Sequence, residues 1–153
     1  TFEYGAASFM QPRLDFDRGY CLYECTRCTE VCPTGALSRL KKEEKARAQI
    51  GKAILLKEHC IVYQKDLACT ACTEHCPTKA VDSFPYKNGL FAPEVETSAC
   101  VGCGACEHVC PVRPKAIYVE GNIVQSAARK KTKFPPKEGK TSSGKGGGDE
   151  FPF

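Results

Sequence analysis

Apolar residues come in short bursts along this chain, and the bursts predict small elements. Residues 38–51 (SRLKKEEKARAQIG) are rich in helix formers. They open on a serine suited to capping and close on glycine, which predicts one longer helix near residues 38–50. Residues 52–57 read as a strand running into Cys60. Residues 80–86 and 90–95 flank Lys87-Asn88-Gly89, and Asn-Gly is a strong hairpin signal. Residues 117–120 and 123–124 flank Gly121-Asn122 and predict a second hairpin. Short hairpins and short helices together give an α+β class, with cysteine-rich loops between the elements as its interior.

Composition shows why the interior needs those loops. Over residues 1–125, Leu, Ile, Val and Phe number 27. That share lies just above the ~20% below which chains tend to stay unfolded. The 12 cysteines are the residues abundant enough to make up the difference. The longest aliphatic stretch, Ala53-Ile54-Leu55-Leu56, is far short of the ~20 residues of a membrane span. No signal peptide is visible, and the start at Thr1 leaves room for an upstream segment. No Walker-type or GxGxxG loop is present, which argues against nucleotide binding.

The cysteines form an internal repeat. Three runs end alike: Cys25-x2-Cys28-x3-Cys32-Pro33, Cys69-x2-Cys72-x3-Cys76-Pro77 and Cys103-x2-Cys106-x3-Cys110-Pro111. One upstream cysteine joins each run, Cys21, Cys60 and Cys100 respectively, and none is left over. Run three is C-x2-C-x2-C-x3-C-P without deviation, the spacing that wraps a four-iron cluster. Each iron corner of such a cluster takes one soft thiolate. Three ligands come from one tight loop, and the fourth cysteine ligates the other cluster of a two-cluster domain. The proline after it fixes φ and turns the chain away. Gly102 and Gly104 would let the backbone approach the cluster and aim N–H groups at sulfur. Run one (C-x3-C) and run two (C-x8-C, with residues 61–68 looping out) deviate only at the first spacing. Twelve thiolates then serve three [4Fe-4S] clusters.

Rival chemistries fit less well. Structural zinc takes two separated CxxC knuckles, whereas Cys100, Cys103 and Cys106 crowd three ligands into seven residues. Crosslinks have no need of repeated CxxC followed by Cys-Pro. Cys21-x3-Cys25-x2-Cys28 has radical-SAM spacing. Against that reading, Cys32-Pro33 completes a ferredoxin run, Arg27 replaces the usual aromatic, and the body is too short for that barrel.

Run three resembles a bacterial ferredoxin. The long loop from Cys60 to Cys69, then LFAPEV, then the regular run, resembles the poly-[4Fe-4S] ferredoxins associated with periplasmic nitrate reductase and methylamine dehydrogenase maturation. It also resembles related membrane-bound ferredoxin fusions. The resemblance covers about residues 9–124 and implies a ferredoxin-like fold. Such proteins usually carry four motifs, and this chain has three. By resemblance to them, runs one and two exchange fourth ligands. Cluster A would use Cys21, Cys25, Cys28 and Cys76. Cluster B would use Cys60, Cys69, Cys72 and Cys32. Cluster C would use Cys100, Cys103 and Cys106, completed by Cys110 or an outside ligand. The competing exchange joins runs two and three.

Charge divides the chain. Residues 126–153 hold seven Lys/Arg and three acids, so the tail carries the whole +4 and residues 1–125 balance. The tail lacks hydrophobic period and reads as a disordered basic Gly/Lys-rich extension beyond a multi-cluster domain of residues 1–125. Its aromatics are sparse, and nucleic acid is not an expected partner. An oxidised cubane with four thiolates carries −2, so three clusters bring the formal charge to about −2. Arg27, Lys65, Lys79, Arg113 and Lys115 lie near the loops and read as ordinary surface charges. His59, His75 and His108 sit beside ligand positions; with the thiolate count full, they read as surface or N–H donor groups. Tyr20, Tyr23 and Tyr63 are candidates to shield the clusters from water.

No acid–base constellation or substrate pocket is implied, and the chemistry belongs to the cofactor. The reading is a non-enzymatic electron carrier that relays single electrons between a redox protein donor and acceptor. A membrane-embedded or missing N-terminal portion is a further candidate partner. The alternatives are a structural iron–sulfur module of a larger membrane-associated complex and an enzyme fed by its clusters. Reduced thiols place the chain in the cytoplasm or at the cytoplasmic face of the membrane.

Overall fold

The computed structural model describes residues 13–129. The expected disordered tail lies outside the described residues from residue 130 onward. In chain order the elements are α1 (Arg27–Glu30), α2 (Lys42–Lys45), β1 (Ala48–Leu55), α3 (Ile61–Lys65), α4 (Ala71–Glu74), β2 (Val81–Pro85), β3 (Phe91–Val95), α5 (Ala105–Val109) and β4 (Ile117–Ala127). Short helices and two antiparallel two-stranded sheets, β1–β4 and β2–β3, make a mixed α+β architecture.

The longer helix expected near residues 38–50 does not form. Only one turn, α2, is helical, and from Ala48 the chain is strand. The physical reason is the alternation Gln49, Gly51, Ala53, which are buried on one face while Lys52 is exposed. A strand seats these three against run three and pairs with β4, and that tertiary gain overrides local helix propensity. The Gly121-Asn122 signal is likewise not a turn. β4 runs on to Ala127 along β1, and the register shifts between Gly51↔Gly121 and Gln49↔Ser126. The residues in between bulge outward, with Ile123 fully exposed. The Asn122 side-chain N–H pins the bulge by donating to the Gln49 carbonyl at 3.2 Å. Order also extends past the expected boundary at residue 125. The Ala128 N–H donates to the Arg47 carbonyl, and the Arg129 N–H to that of Ser98.

The first expected hairpin forms as read. β2 and β3 pair in register from Val81↔Val95 to Pro85↔Phe91. Asn88 and Gly89 both take positive φ in the turn, the conformation that Asn-Gly tolerates. Pro93 lies in β3 without harm because a two-stranded sheet leaves one side of each strand unpaired.

The core is made of small residues. Ala53, Ala80, Ala92, Ala99, Ala105 and Ala116 are buried beside Val62, Val81, Val101 and Ile117. Seven cysteines are buried among them: Cys60, Cys72, Cys76, Cys100, Cys103, Cys106 and Cys110. α4 and α5 pack against each other, so runs two and three meet at the centre. Gly102, at φ +74°, is where run three touches β1; a Cβ there would lie inside the backbone of Gly51. Gly121 has open space around its Cβ position. Gly102→Ala should therefore destabilise the folded chain by about 2 kcal/mol or more, and Gly121→Ala should stay within about 0.5 kcal/mol. Anaerobic urea titration checks this; equal midpoints for the two variants would contradict the glycine contact.

Candidate metal centres

The three runs fold locally in the same way, because each x3 spacing becomes one helical turn. Cys28, Cys72 and Cys106 sit in α1, α4 and α5. Runs one and two share their side-chain bonding. Thr26 donates its hydroxyl to Glu30 and Thr70 to Glu74, each at 2.7 Å. Thr29 and Thr73 donate to the carbonyls of Thr26 and Thr70 at 2.7 and 2.8 Å. The Thr26 hydroxyl, then Arg27, hold the Glu30 carboxyl below its usual range. Run three lacks these threonines and starts its turn at Gly104, φ +78°.

The fourth cysteines are presented alike. Cys76 Sγ lies 3.7 Å from the Thr78 hydroxyl and accepts the Val81 N–H at 3.4 Å. Cys32 Sγ lies 3.6 Å from the Thr34 hydroxyl. The Leu37 N–H, then the Thr34 hydroxyl, lower its thiol to about 7. In both, the backbone aims positive N–H ends at sulfur, as a thiolate ligand requires. Cys100 Sγ accepts the N–H groups of Ala53 and Gly102, each at 3.4 Å. The expected role of Gly102, pointing N–H at sulfur, is thus visible, while its missing Cβ makes room for Gly51.

The thiols of runs two and three lie close to one another. Burial, then the thiolates of Cys69, Cys60 and Cys110, push the Cys72 thiol up to about 12. Cys60, Cys69, Cys72 and Cys110 together line one cavity, with Leu55, Ile117 and other carbon walls and no nitrogen or oxygen at its surface. Burial, then Cys100, Cys103, Cys76 and Cys72, raise the Cys106 thiol. Cys76 also bears on Cys100 and Cys103. Cys103 feels Cys21 of run one as well as Cys76 of run two. The packing of α4 on α5 brings the thiols of runs two and three near one another.

Cys60, Cys69, Cys72 and Cys110 thus share one cavity, and Cys76 acts on Cys100, Cys103 and Cys106. Run one holds Cys21, Cys25, Cys28 and Cys32, of which Cys28 is exposed and the others half-buried. None of the 12 cysteines forms a disulfide. Among the described residues, no three His, Cys, Asp or Glu side chains converge on a single-ion site. A single zinc at Zn–S ≈ 2.3 Å would demand such convergence. Sulfurs that crowd each other electrically without converging on one point suit a larger cationic core. The donors thus fit a cluster: soft, mutually repelling when ionised, and walled from water.

The histidines play donor roles where their partners are seen. His75 and His108 direct Nδ1 to the carbonyls of Ala71 and Phe16, each at 2.9 Å. His59 Nδ1 is buried with no hydrogen-bond partner among the described residues. Tyr63 packs edge-on to Tyr86 and donates to the Pro93 carbonyl at 3.0 Å. Tyr23 packs on Val101, Cys103 and Ala105. Tyr20 stays largely open and leans on the His108 ring. Lys115 is not an ordinary solvated charge: its side chain is 10% exposed and its ammonium lies 2.6 Å from Asp17. Sequence reasoning missed Gln49, whose polar type gave no hint that it would be buried. Its side-chain N–H groups donate to the carbonyls of Thr97 and Cys100 at 2.9 and 2.6 Å, and its Oε1 accepts the Ser126 hydroxyl at 3.1 Å.

Comparison with known proteins agrees with this chemistry. Residues 59–113 match a 4Fe-4S dicluster domain, and residues 21–36 a 4Fe-4S binding domain. The dicluster match spans runs two and three, the pair whose thiols interleave. The ferredoxin-type protein NapG of Escherichia coli is 38% identical over 100 residues, covering 60% of this chain and 43% of the relative. The methylamine utilization ferredoxin-type protein MauM of Methylophilus methylotrophus is 38% identical over 95 residues, covering 59% and 42%. The ferredoxin-type protein NapF of Escherichia coli is 30% identical over 102 residues, covering 66% and 57%. The chain therefore spans about half the length of the curated relatives it matches. No solved structure matches it.

Replacing Gln49 by Leu would strand the buried carbonyl of Cys100 and remove the part-buried bond to the carbonyl of Thr97. The expected cost is about 2–3 kcal/mol, read as a lower anaerobic unfolding midpoint with cluster absorbance at 400 nm as the probe. An unchanged midpoint would contradict the role of this bridge.

Proposed function

We propose, for a chain that resembles the bacterial ferredoxin-type [4Fe-4S] proteins, that it relays single electrons through three such clusters between a protein donor and a protein acceptor. The observation that carries this reading is the crossed grouping of thiols. Cys60, Cys69 and Cys72 with Cys110 would hold one cluster, and Cys100, Cys103 and Cys106 with Cys76 the second. Run one, Cys21, Cys25, Cys28 and Cys32, supplies the thiolates of the third. A bound cluster supplies reversible one-electron chemistry.

The chain's own residues do the rest. The thiolates anchor, and each crossed pair ties α4 to α5. The N–H groups of Val81, Ala53 and Gly102 offset negative charge on Cys76 and Cys100. Leu55, Ile117 and Pro93 keep water from the Cys60 site. Twelve unpaired thiols support residence in a reducing compartment, in the cytoplasm or at a membrane face bordering it.

Anaerobically purified chain should carry about 12 iron and about 12 acid-labile sulfide. Paired cysteine losses test the grouping. Cys60→Ser with Cys110→Ser removes two ligands of one cluster and should leave about 8 iron. Cys60→Ser with Cys32→Ser strikes two clusters and should leave about 4. The opposite ranking would restore the exchange of runs one and two.

A further inference from the structure

Residues 16–23 are fastened to run three by a series of independent contacts. The Phe16 ring occupies the space that a side chain at Gly104 would fill. The Phe16 carbonyl accepts from His108 Nδ1 at 2.9 Å. Asp17 pairs with Lys115 at 2.6 Å and with Arg113 at 3.7 Å. The Lys115 ammonium holds the Asp17 carboxyl below its usual range. The rings of Tyr20 and His108 lie 5.5 Å apart. The Cys21 N–H donates to the Cys103 carbonyl at 2.8 Å, and Cys21 and Tyr23 pack on the cluster of Val101, Cys103, Ala105 and Ala128. Most of these contacts fall on run three or the residues just after it.

The two corners of the run-three set face different neighbours. Cys103 is the member beside Cys21, and Cys106 the member beside Cys72. The thiols grouped around Cys72 come from runs two and three alone. At the far side, Cys28, Leu22 and Val31 are exposed.

We infer that residues 16–23 are a clamp that sets the three sites in a line, with the Cys76/Cys100/Cys103/Cys106 site in the middle, the Cys60/Cys69/Cys72/Cys110 site at one end and run one at the other. This rests on the three-cluster reading above. An electron passing along the line oxidises one site by one electron and reduces the next by one, with no bond or proton moved. Run one is then the solvent-facing terminus, and Phe16, Asp17 and His108 are positioning residues that keep it within reach of the middle site.

The test is electron paramagnetic resonance of the dithionite-reduced holo-chain, in which neighbouring reduced clusters broaden and split each other's signals. Cys28→Ser, which removes an end, should leave an interacting pair. Cys60→Ser, which removes the other end, should also leave an interacting pair. A clamp variant, Phe16→Ala with Asp17→Asn, should keep about 12 iron while the run-one signal becomes that of an isolated cluster and the remaining two still interact. Two isolated signals in Cys28→Ser or in Cys60→Ser would overturn the order, as would an unaltered spectrum in the clamp variant. Should the clamp variant lose iron, His108→Ala replaces it, with the same spectrum expected. Wild-type chain holding well under about 12 iron would instead overturn the three-cluster reading itself.

Discussion

The structure depends on the electrostatic problem of burying thiolates side by side. Cys72 and Cys106 are each surrounded by other cysteines in a setting that water scarcely reaches, and both thiols resist ionisation there. Four thiolates in such a place repel one another and lose their hydration. A cationic iron core removes both penalties at once and turns repulsion into bonding. The interior of this chain is therefore half-made by its polypeptide. Alanines and a few valines supply close packing, and the metal supplies the cohesion that larger side chains give an ordinary core.

From that constraint the connectivity follows. A run can face a cube with three sulfurs from its loop and the helical turn that follows, and the fourth comes from the same run, as proposed for run one, or from another. In the proposed grouping the packing of α4 on α5 lets runs two and three exchange fourth sulfurs, so those two sites would crosslink distant parts of the chain. Run one has the same local build, down to the threonine–glutamate pairing of Thr26 with Glu30. Its sulfurs are nonetheless more exposed, and its contacts to the body are made by backbone, by the side chains of Cys21 and Tyr23 and by the residues ahead of Cys21.

The chemistry of the chain was legible early because spacing alone encodes it. Cys-x2-Cys-x3-Cys-Pro needs no tertiary information to read, and the Asn88-Gly89 turn is equally local. What sequence could not show is what depends on partners distant in the chain. Residues 48–51 look helical in isolation, yet they form a strand because β4 and run three offer them a place. Gly121-Asn122 carries a turn signal, but β1 holds it in a bulge instead. Gln49 has no local mark of burial, since its side chain's polar partners come from Thr97, Cys100, Asn122 and Ser126. The exchange of fourth ligands could be read only by resemblance, since Cys32, Cys76 and Cys110 are locally equivalent; the packing of α4 against α5 favours the exchange of runs two and three proposed here.

The central claim is that bound metal is part of the fold. Anaerobic removal of iron from the holo-chain by a chelator, followed by amide proton–nitrogen correlation spectra under reducing conditions, tests it most directly. The account predicts collapse of the dispersed amide signals of residues 48–128 into the narrow range of an unfolded chain as iron leaves. Spectra that stay dispersed in the iron-free, reduced chain would contradict it.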